Sequence, residues 1–188
     1  MSNEDIFRRI TSALDRAGIA YMLTGSFASA HYGAPRATQD IDIVIEADPA
    51  LLQSFVQSLD KDQFYADVGA ALEAQRRESM FNIIDRVTGW KIDLVMRKSR
   101  AFSKEEFDRR SAIELEGVRI FVASAEDIVI AKLEWAKVGK SQRQIDDVTT
   151  ILRLRRDALD RSYMQKWISI LELGEQWSAA KLAAGLSD

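Results

Sequence analysis

The chain contains no cysteine and a single histidine, His31, among 188 residues. The lack of cysteine excludes disulfide scaffolds, thiolate zinc sites, thiol nucleophiles and iron–sulfur clusters. An all-histidine metal site or a serine–histidine triad would have to rest on one imidazole. The chemically active groups that remain in quantity are carboxylates, with 29 Asp and Glu residues. Carboxylates are therefore the first candidates for catalytic or metal-binding groups in this chain.

Long apolar runs and a leader-like start are also missing. No apolar stretch approaches the roughly 18 residues that span a bilayer, and the charged N-terminus MSNEDIFRR lacks the apolar core of a signal peptide. We therefore expect a soluble cytoplasmic protein without a membrane partner. A net charge of -3 and a pI near 5.4 argue against a generic nucleic-acid coat protein.

Hydrophobic patterning predicts an α+β fold. Ile41, Ile43 and Ile45 alternate with polar residues, which indicates a strand, and hairpins are expected around Thr88-Gly89 and Gly117. From residue 124 the apolar period becomes 3.6, which predicts helices. We expect a mixed sheet flanked by helices in a core over residues 1–122, followed by a helical region over 123–188 packed on that core.

Capping patterns predict where several helices begin. Asp48 before a proline starts a helix running to about residue 59. Ser103, with a glutamate three residues later, forms a capping-box pattern for a helix over about 103–110. Ser124 and Ser141 are predicted caps of two helices in the last third of the chain.

Two aspartates lie on one predicted strand. Side chains alternate along a strand, so Asp40 and Asp42 project from the same face, about 6.5–7 Å apart. Two carboxylates on one face repel each other unless cations lie between them. A third acid, Asp93, lies in another apolar strand; if that strand pairs beside the first, three acids converge. Such a group suits two Mg²⁺ ions, with Mn²⁺ as an alternative, that bind substrate phosphates.

A glycine–serine turn precedes these acids. Gly25 and Ser26 follow a short apolar strand and precede a short helix beginning near Phe27, with thirteen residues between Ser26 and Asp40. Glycine lets backbone approach a ligand closely, and free N–H groups at a helix start bind phosphate. The turn is therefore a candidate phosphate site. A solvated strand face is the alternative explanation of Asp-x-Asp alone.

These motifs together resemble the DNA-polymerase-β-like nucleotidyltransferase superfamily. Gly-Ser, then Asp-Ile-Asp-Ile at 40–43, then a lone strand aspartate at 93 match its pattern. The run Arg36-Ala-Thr38-Gln-Asp40-Ile-Asp42 is similar to small bacterial nucleotidyltransferases related to the toxins of abortive-infection type IV toxin–antitoxin systems. Their downstream motifs are similar to the segments around Lys132 and around Asp147.

The resemblance implies roles for individual residues. Asp40, Asp42 and Asp93 would bind metal and carry catalysis with Lys132. The nucleotide would be bound by Gly25, Ser26, Arg36, Thr38 and Lys132, with Asp147 supporting the lysine or the site. A snorkelling side chain remains the alternative for Lys132, and a surface pair with Arg143 remains the alternative for Asp147.

The predicted function is transfer of a nucleoside monophosphate from a nucleoside triphosphate to a hydroxyl acceptor. The acceptor is a tRNA end, a protein or a small molecule, and the enzyme would be the toxin of a toxin–antitoxin pair with an antitoxin partner. The alternatives are a non-catalytic nucleotide-binding or antitoxin-partner module and an aminoglycoside-type antibiotic nucleotidyltransferase.

Overall fold

The computed structural model describes residues 3–35, 37–115 and 117–186. The chain divides into two compact units, one formed by Met1–Thr24 and Ala37–Ala123, the other by Gly25–Arg36 and Ser124–Asp188. The first unit contains a sheet and four helices, and the second is helical. The predicted α+β class, with a mixed sheet, flanking helices and a helical C-terminal part, is confirmed.

Seven strands of the first unit form one mixed sheet. The strands are β1 Ala20–Leu23, β2 Asp40–Glu46, β3 Phe64–Tyr65, β4 Met80–Asp85, β5 Lys91–Met96, β6 Ser111–Leu115 and β7 Val118–Val122. Their spatial order is β3-β4-β5-β2-β1-β7-β6. β2 pairs in parallel with β5, and β1 in parallel with β7, whereas the other four pairings are antiparallel.

The first unit's core lies on one face of this sheet. The alternating Ile41, Ile43 and Ile45 are at most 1% exposed and share that face with apolar residues of β4 and β5. Arg9 pairs there with Asp85, which is fully buried. The helix that carries Arg9 therefore covers the isoleucine face. The unit's helices are α1 Asn3–Ala17, α3 Pro49–Ser58, α4 Val68–Arg76 and α5 Ala101–Asp108.

The second unit combines one early helix with the C-terminal helices. The helices are α2 Gly25–His31, α6 Ala125–Gly139, α7 Gln142–Arg155, α8 Arg161–Ile170 and α9 Gly174–Ala184. α2 packs against α6, and α7 packs against both α6 and α9.

The two predicted serine caps of the C-terminal helices differ. The Ser124 hydroxyl accepts the backbone N–H of Asp127 at 3.2 Å, whereas Ser141 makes no such bond.

Two predicted helix starts were wrong, and one short strand was not predicted. The helix expected to begin at Ser103 begins at Ala101, because the Ser103 hydroxyl accepts Arg100 Nε at 3.0 Å and caps no helix N–H. The short helix expected from Phe27 already begins at Gly25. The two-residue strand β3, paired with the end of β4, was not predicted because it is too short to show a period.

Candidate active site

The acids occupy adjacent positions on two neighbouring strands. Asp42 of β2 and Asp93 of β5 are register partners, and Asp40 is the partner of Lys91. Register partners share a face and neighbouring strands lie about 4.8 Å apart, so the condition under which the acids converge, that the strand of Asp93 pairs beside the strand of Asp40 and Asp42, is met. Because Asp40 and Asp42 alternate with the buried isoleucines, the acids lie on the sheet face opposite α1.

The three carboxylates differ in exposure. The side chain of Asp40 is 54% exposed and that of Asp93 is 8% exposed, while Asp42 is half-buried. The backbone carbonyl of Asp42 accepts the N–H of Thr24 at 2.9 Å, which fixes the end of β1 beside it. Thr38 fixes the other end of the motif, since its hydroxyl accepts the N–H of Asp40 at 3.1 Å.

Both oxygens of the Asp93 carboxylate have partners. The Asn82 side-chain amide donates to Oδ1, and Lys91 Nζ lies 3.0 Å from Oδ2. The same ammonium is 3.5 Å from Asp40 Oδ1. The hydrogen bond to Asp93, together with the charges of Asp93 and Asp40, raises the pKa of Lys91 against the opposing effect of partial burial. A cation therefore already lies between two of the acids.

Sequence reasoning missed Lys91 and Asn82. The period of two contained a signal for Lys91, because a residue two positions before Asp93 on a strand shares its face. Asn82 had no such signal, because its position depends on the register between β4 and β5. Arg36, predicted to bind nucleotide, lies outside the described residues.

Gly25 and Ser26 belong to the second unit. Gly25 has a φ of 64°, a left-handed conformation that side chains disfavour, so the strand-to-helix turn requires glycine there. Ser26 is 2% exposed. The Ser29 hydroxyl donates to the Gly25 carbonyl at 2.7 Å and secures the first turn of α2.

Lys132 and Asp147 form a buried ion pair within the second unit. Lys132 Nζ on α6 lies 2.6 Å from Asp147 Oδ2 and 3.2 Å from Gln144 Oε1 on α7. The two side chains are 6% and 13% exposed, so Lys132 does not extend into solvent as a snorkelling residue would. The structure brings Asp147 to Lys132, while their roles toward a nucleotide stay predictions.

A family comparison matches residues 5–185 to the family DUF6036, described as a nucleotidyltransferase of unknown function. The chain belongs to this family and is a nucleotidyltransferase. A comparison with curated proteins finds no match.

Solved structures show the same fold at low sequence identity. An antigenic nucleotidyltransferase-like protein from Paracoccidioides brasiliensis is 17% identical, with a TM-score of 0.56 over 95% of this chain and 91% of that one. ANT(2")-Ia in complex with adenylyl-2"-tobramycin is 14% identical, with a TM-score of 0.56 over 92% and 98%. The lincosamide antibiotic adenylyltransferase LnuA with lincomycin bound is 14% identical, with a TM-score of 0.52 over 80% and 96%.

Nucleotidyltransferases generally use divalent metal ions, and the oxygen donors of this site fit such an ion. Mg²⁺ is commonly bound by one or two carboxylates together with substrate phosphates, and Asp42 and Asp93 provide two on adjacent strands. In the described part of the chain, no group of three or more acidic, histidine or cysteine side chains is arranged to hold a metal ion.

Among the residues that the structure describes, no helix is long and apolar enough to cross a membrane.

Proposed function

We propose that this nucleotidyltransferase is Mg²⁺-dependent and transfers a nucleoside monophosphate from a nucleoside triphosphate to a hydroxyl acceptor. The observation that carries the proposal is the register of Asp42 beside Asp93, with Asp40 two residues away on the same face. These carboxylates lie on the sheet face opposite the isoleucine core, and their mutual repulsion favours a bound cation.

In this proposal Asp40, Asp42 and Asp93 hold two metal ions, for which Mn²⁺ can substitute. The metal supplies charge neutralisation of the triphosphate and lowers the pKa of the attacking hydroxyl. Asp93 is held by Asn82 and would accept the hydroxyl proton. The hydroxyl oxygen then bonds to the α-phosphorus, the bond to the bridging oxygen breaks, and pyrophosphate leaves.

The remaining predicted residues would bind the nucleotide. Gly25 and Ser26 would donate to phosphate oxygens, and Arg36 and Thr38 belong to the same nucleotide-binding set. Lys132, held in place by Asp147, would offset charge on the phosphates. These roles rest on the sequence motifs.

Replacing Asp42 with Asn tests the proposal. We expect transfer to fall at least about 100-fold, as for the loss of one electrostatic contact to a transition state, with little change in stability because Asp42 is outside the core. The measurement is release of pyrophosphate and transfer of α-labelled nucleotide. Asp62→Asn, on an exposed loop, is the matched control and retains full activity. Transfer at the wild-type rate in Asp42→Asn contradicts the proposal.

The acceptor is identified by where the label goes. ATP, CTP, GTP and UTP, each labelled at the α-phosphate, are incubated in turn with total RNA, cell-lysate protein and a panel of aminoglycosides and lincosamides. ANT(2")-Ia and LnuA, whose fold this chain shares, were solved with antibiotic ligands, which adds small molecules to the RNA and protein acceptors. Each mixture is also incubated with the Asp42→Asn variant. Labelling of an acceptor counts as transfer only if it occurs with the wild type and is absent with this variant.

We further propose that the protein is a toxin of the abortive-infection type, as the motif around Arg36 and Thr38 indicates. Induced expression in a bacterial host would then arrest growth, and Asp42→Asn would not. Growth arrest by both forms at equal protein levels would show that the toxicity does not depend on nucleotidyl transfer, and normal growth with the wild type would contradict the toxin role. An antitoxin partner would be a co-expressed protein that restores growth.

A further inference from the structure

Lys91 occupies the place where the acidic strands most need positive charge. It begins β5 two residues before Asp93 and is the register partner of Asp40. Its ammonium spans the two carboxylates, at 3.0 Å from Asp93 Oδ2 and 3.5 Å from Asp40 Oδ1. The backbone N–H of Lys91 also donates to the Gln39 carbonyl at 3.2 Å, which fixes the start of β5 beside the acidic motif.

Asp93 already has a hydrogen-bond donor on each carboxylate oxygen, so a metal ion that binds Asp93 shares these oxygens with Asn82 and Lys91. Its side chain is 8% exposed, and a carboxylate withdrawn from water is costly unless it is paired. Asn82 donates to Oδ1 and Lys91 to Oδ2. Asn82 is neutral, so Lys91 alone of these two donors balances the carboxylate's charge. A divalent cation that binds Asp93 therefore competes with the Lys91 ammonium.

A divalent cation can displace the Lys91 ammonium from the carboxylates. Its side chain is 38% exposed, and a lysine ammonium sits on a flexible stem that can carry it into solvent. An arginine would hold the carboxylate with a rigid fork of donors. Mg²⁺ is usually coordinated by substrate phosphates as well as by carboxylates. An ion bound to the triphosphate therefore gains more coordination energy at the site than a free ion, and this gain offsets the loss of the Lys91 ion pair.

We propose that Lys91 is the resident counter-cation of Asp40 and Asp93 and limits the affinity of the site for free divalent metal. Removal of its charge leaves the carboxylates to repel each other and opens them to the metal. The inference rests on the proposed function in that Asp40, Asp42 and Asp93 are taken as the metal ligands. Lys91 is in this sense a positioning residue and not a catalytic one.

Binding of Mn²⁺ alone, followed by electron paramagnetic resonance without nucleotide, tests the inference. We expect Lys91→Met to bind Mn²⁺ about three- to tenfold more tightly than the wild type, and Lys91→Arg to bind it no more tightly. Lys98→Met, which removes an exposed lysine just after β5, is the matched control and retains the wild-type affinity. Lys91→Gln repeats the measurement with a polar side chain if Lys91→Met does not fold.

Thermal unfolding provides a second readout. Without metal, Lys91→Met should unfold at a lower temperature than the wild type, and saturating Mn²⁺ should restore more of its stability than it adds to the wild type. Unchanged or weaker Mn²⁺ binding in both Lys91→Met and Lys91→Gln overturns the inference.

Asp42→Asn distinguishes failure of the inference from failure of the proposed function. If the wild type binds Mn²⁺ and Asp42→Asn does not, the metal site stands and the Lys91 variants alone decide the inference. If Asp42→Asn binds Mn²⁺ as the wild type does, or if neither the wild type nor the Lys91 variants bind it, the proposed ligand set is wrong and the inference falls with it.

Discussion

At the scale of single residues, the two lysines of interest are held in different ways. Lys91 is partly exposed between two strand acids, whereas Lys132 is almost completely enclosed with Asp147. A buried ion pair contributes little net stability, but the loss of one partner leaves an uncompensated charge. The lysine motif that indicated a nucleotide contact is therefore also a structural element of the second unit.

Replacement of Asp147 with Asn is expected to lower the free energy of unfolding by about 3–5 kcal/mol, because the Lys132 ammonium then stays buried without its counter-charge. Urea unfolding followed by circular dichroism measures the effect. The double variant Lys132→Met/Asp147→Leu should recover most of this loss, since it removes both charges. If Asp147→Asn is as stable as the wild type, the Lys132–Asp147 pair does not stabilise the fold.

The same double variant also tests the nucleotide role of Lys132. If Lys132 contacts the triphosphate, the double variant is well folded yet binds nucleotide at least about tenfold more weakly, a difference of about 1.4 kcal/mol. Equilibrium binding of a fluorescent nucleotide triphosphate reports this separately from stability. Wild-type affinity in the double variant would leave Lys132 with a structural role alone.

At the scale of secondary-structure elements, two serines in similar sequence contexts have different effects. The Ser124 hydroxyl accepts the N–H of Asp127 and donates to its carboxylate at 2.6 Å, while Ser141 makes no side-chain cap. We expect Ser124→Ala to cost about 1–2 kcal/mol and Ser141→Ala a few tenths at most. Urea midpoints of the two variants provide the comparison, and equal losses would contradict it.

The sequence predicted those elements whose evidence is local. The alternation through Ile41, Ile43 and Ile45 was enough to place Asp40 and Asp42 on one face, and the Thr88-Gly89 signal was enough for the hairpin that presents Asp93. The parallel pairing of β2 with β5 could not be predicted from local patterns, because it joins residues about 50 positions apart. Convergence of the three acids was therefore predicted only on the condition that these strands pair. Asn82 was missed for the same reason: its position beside Asp93 is set by register and not by spacing.

At the scale of the whole molecule, the two compact units do not follow one another along the chain. Residues 124–188 form the second unit together with 25–36, which the chain inserts between β1 and β2. The composition around α2 resembles that of the neighbouring segments, so nothing local marked the insertion. Its membership follows from packing of α2 on α6, a contact between distant parts of the sequence.

Truncation after Ala123 tests this division. The fragment 1–123 retains α2 but lacks α6, so we expect α2 to be left without its packing partner and the fragment to self-associate. A second fragment, with residues 25–36 replaced by a Gly/Ser linker, should be more soluble and more often monomeric. Size-exclusion chromatography and circular dichroism of both fragments measure the difference. Identical behaviour of the two fragments would contradict the assignment of α2 to the second unit.

The inserted position of α2 also affects when this helix can fold during synthesis. About 90 residues separate the end of α2 from the start of α6, and ribosomes add roughly 5–20 residues per second. During synthesis, the α6 segment therefore leaves the ribosome on the order of 5–20 s after the α2 segment. A seven-residue helix is not stable alone in water, so this segment leaves the ribosome unfolded and becomes helical only after the sheet strands have been made.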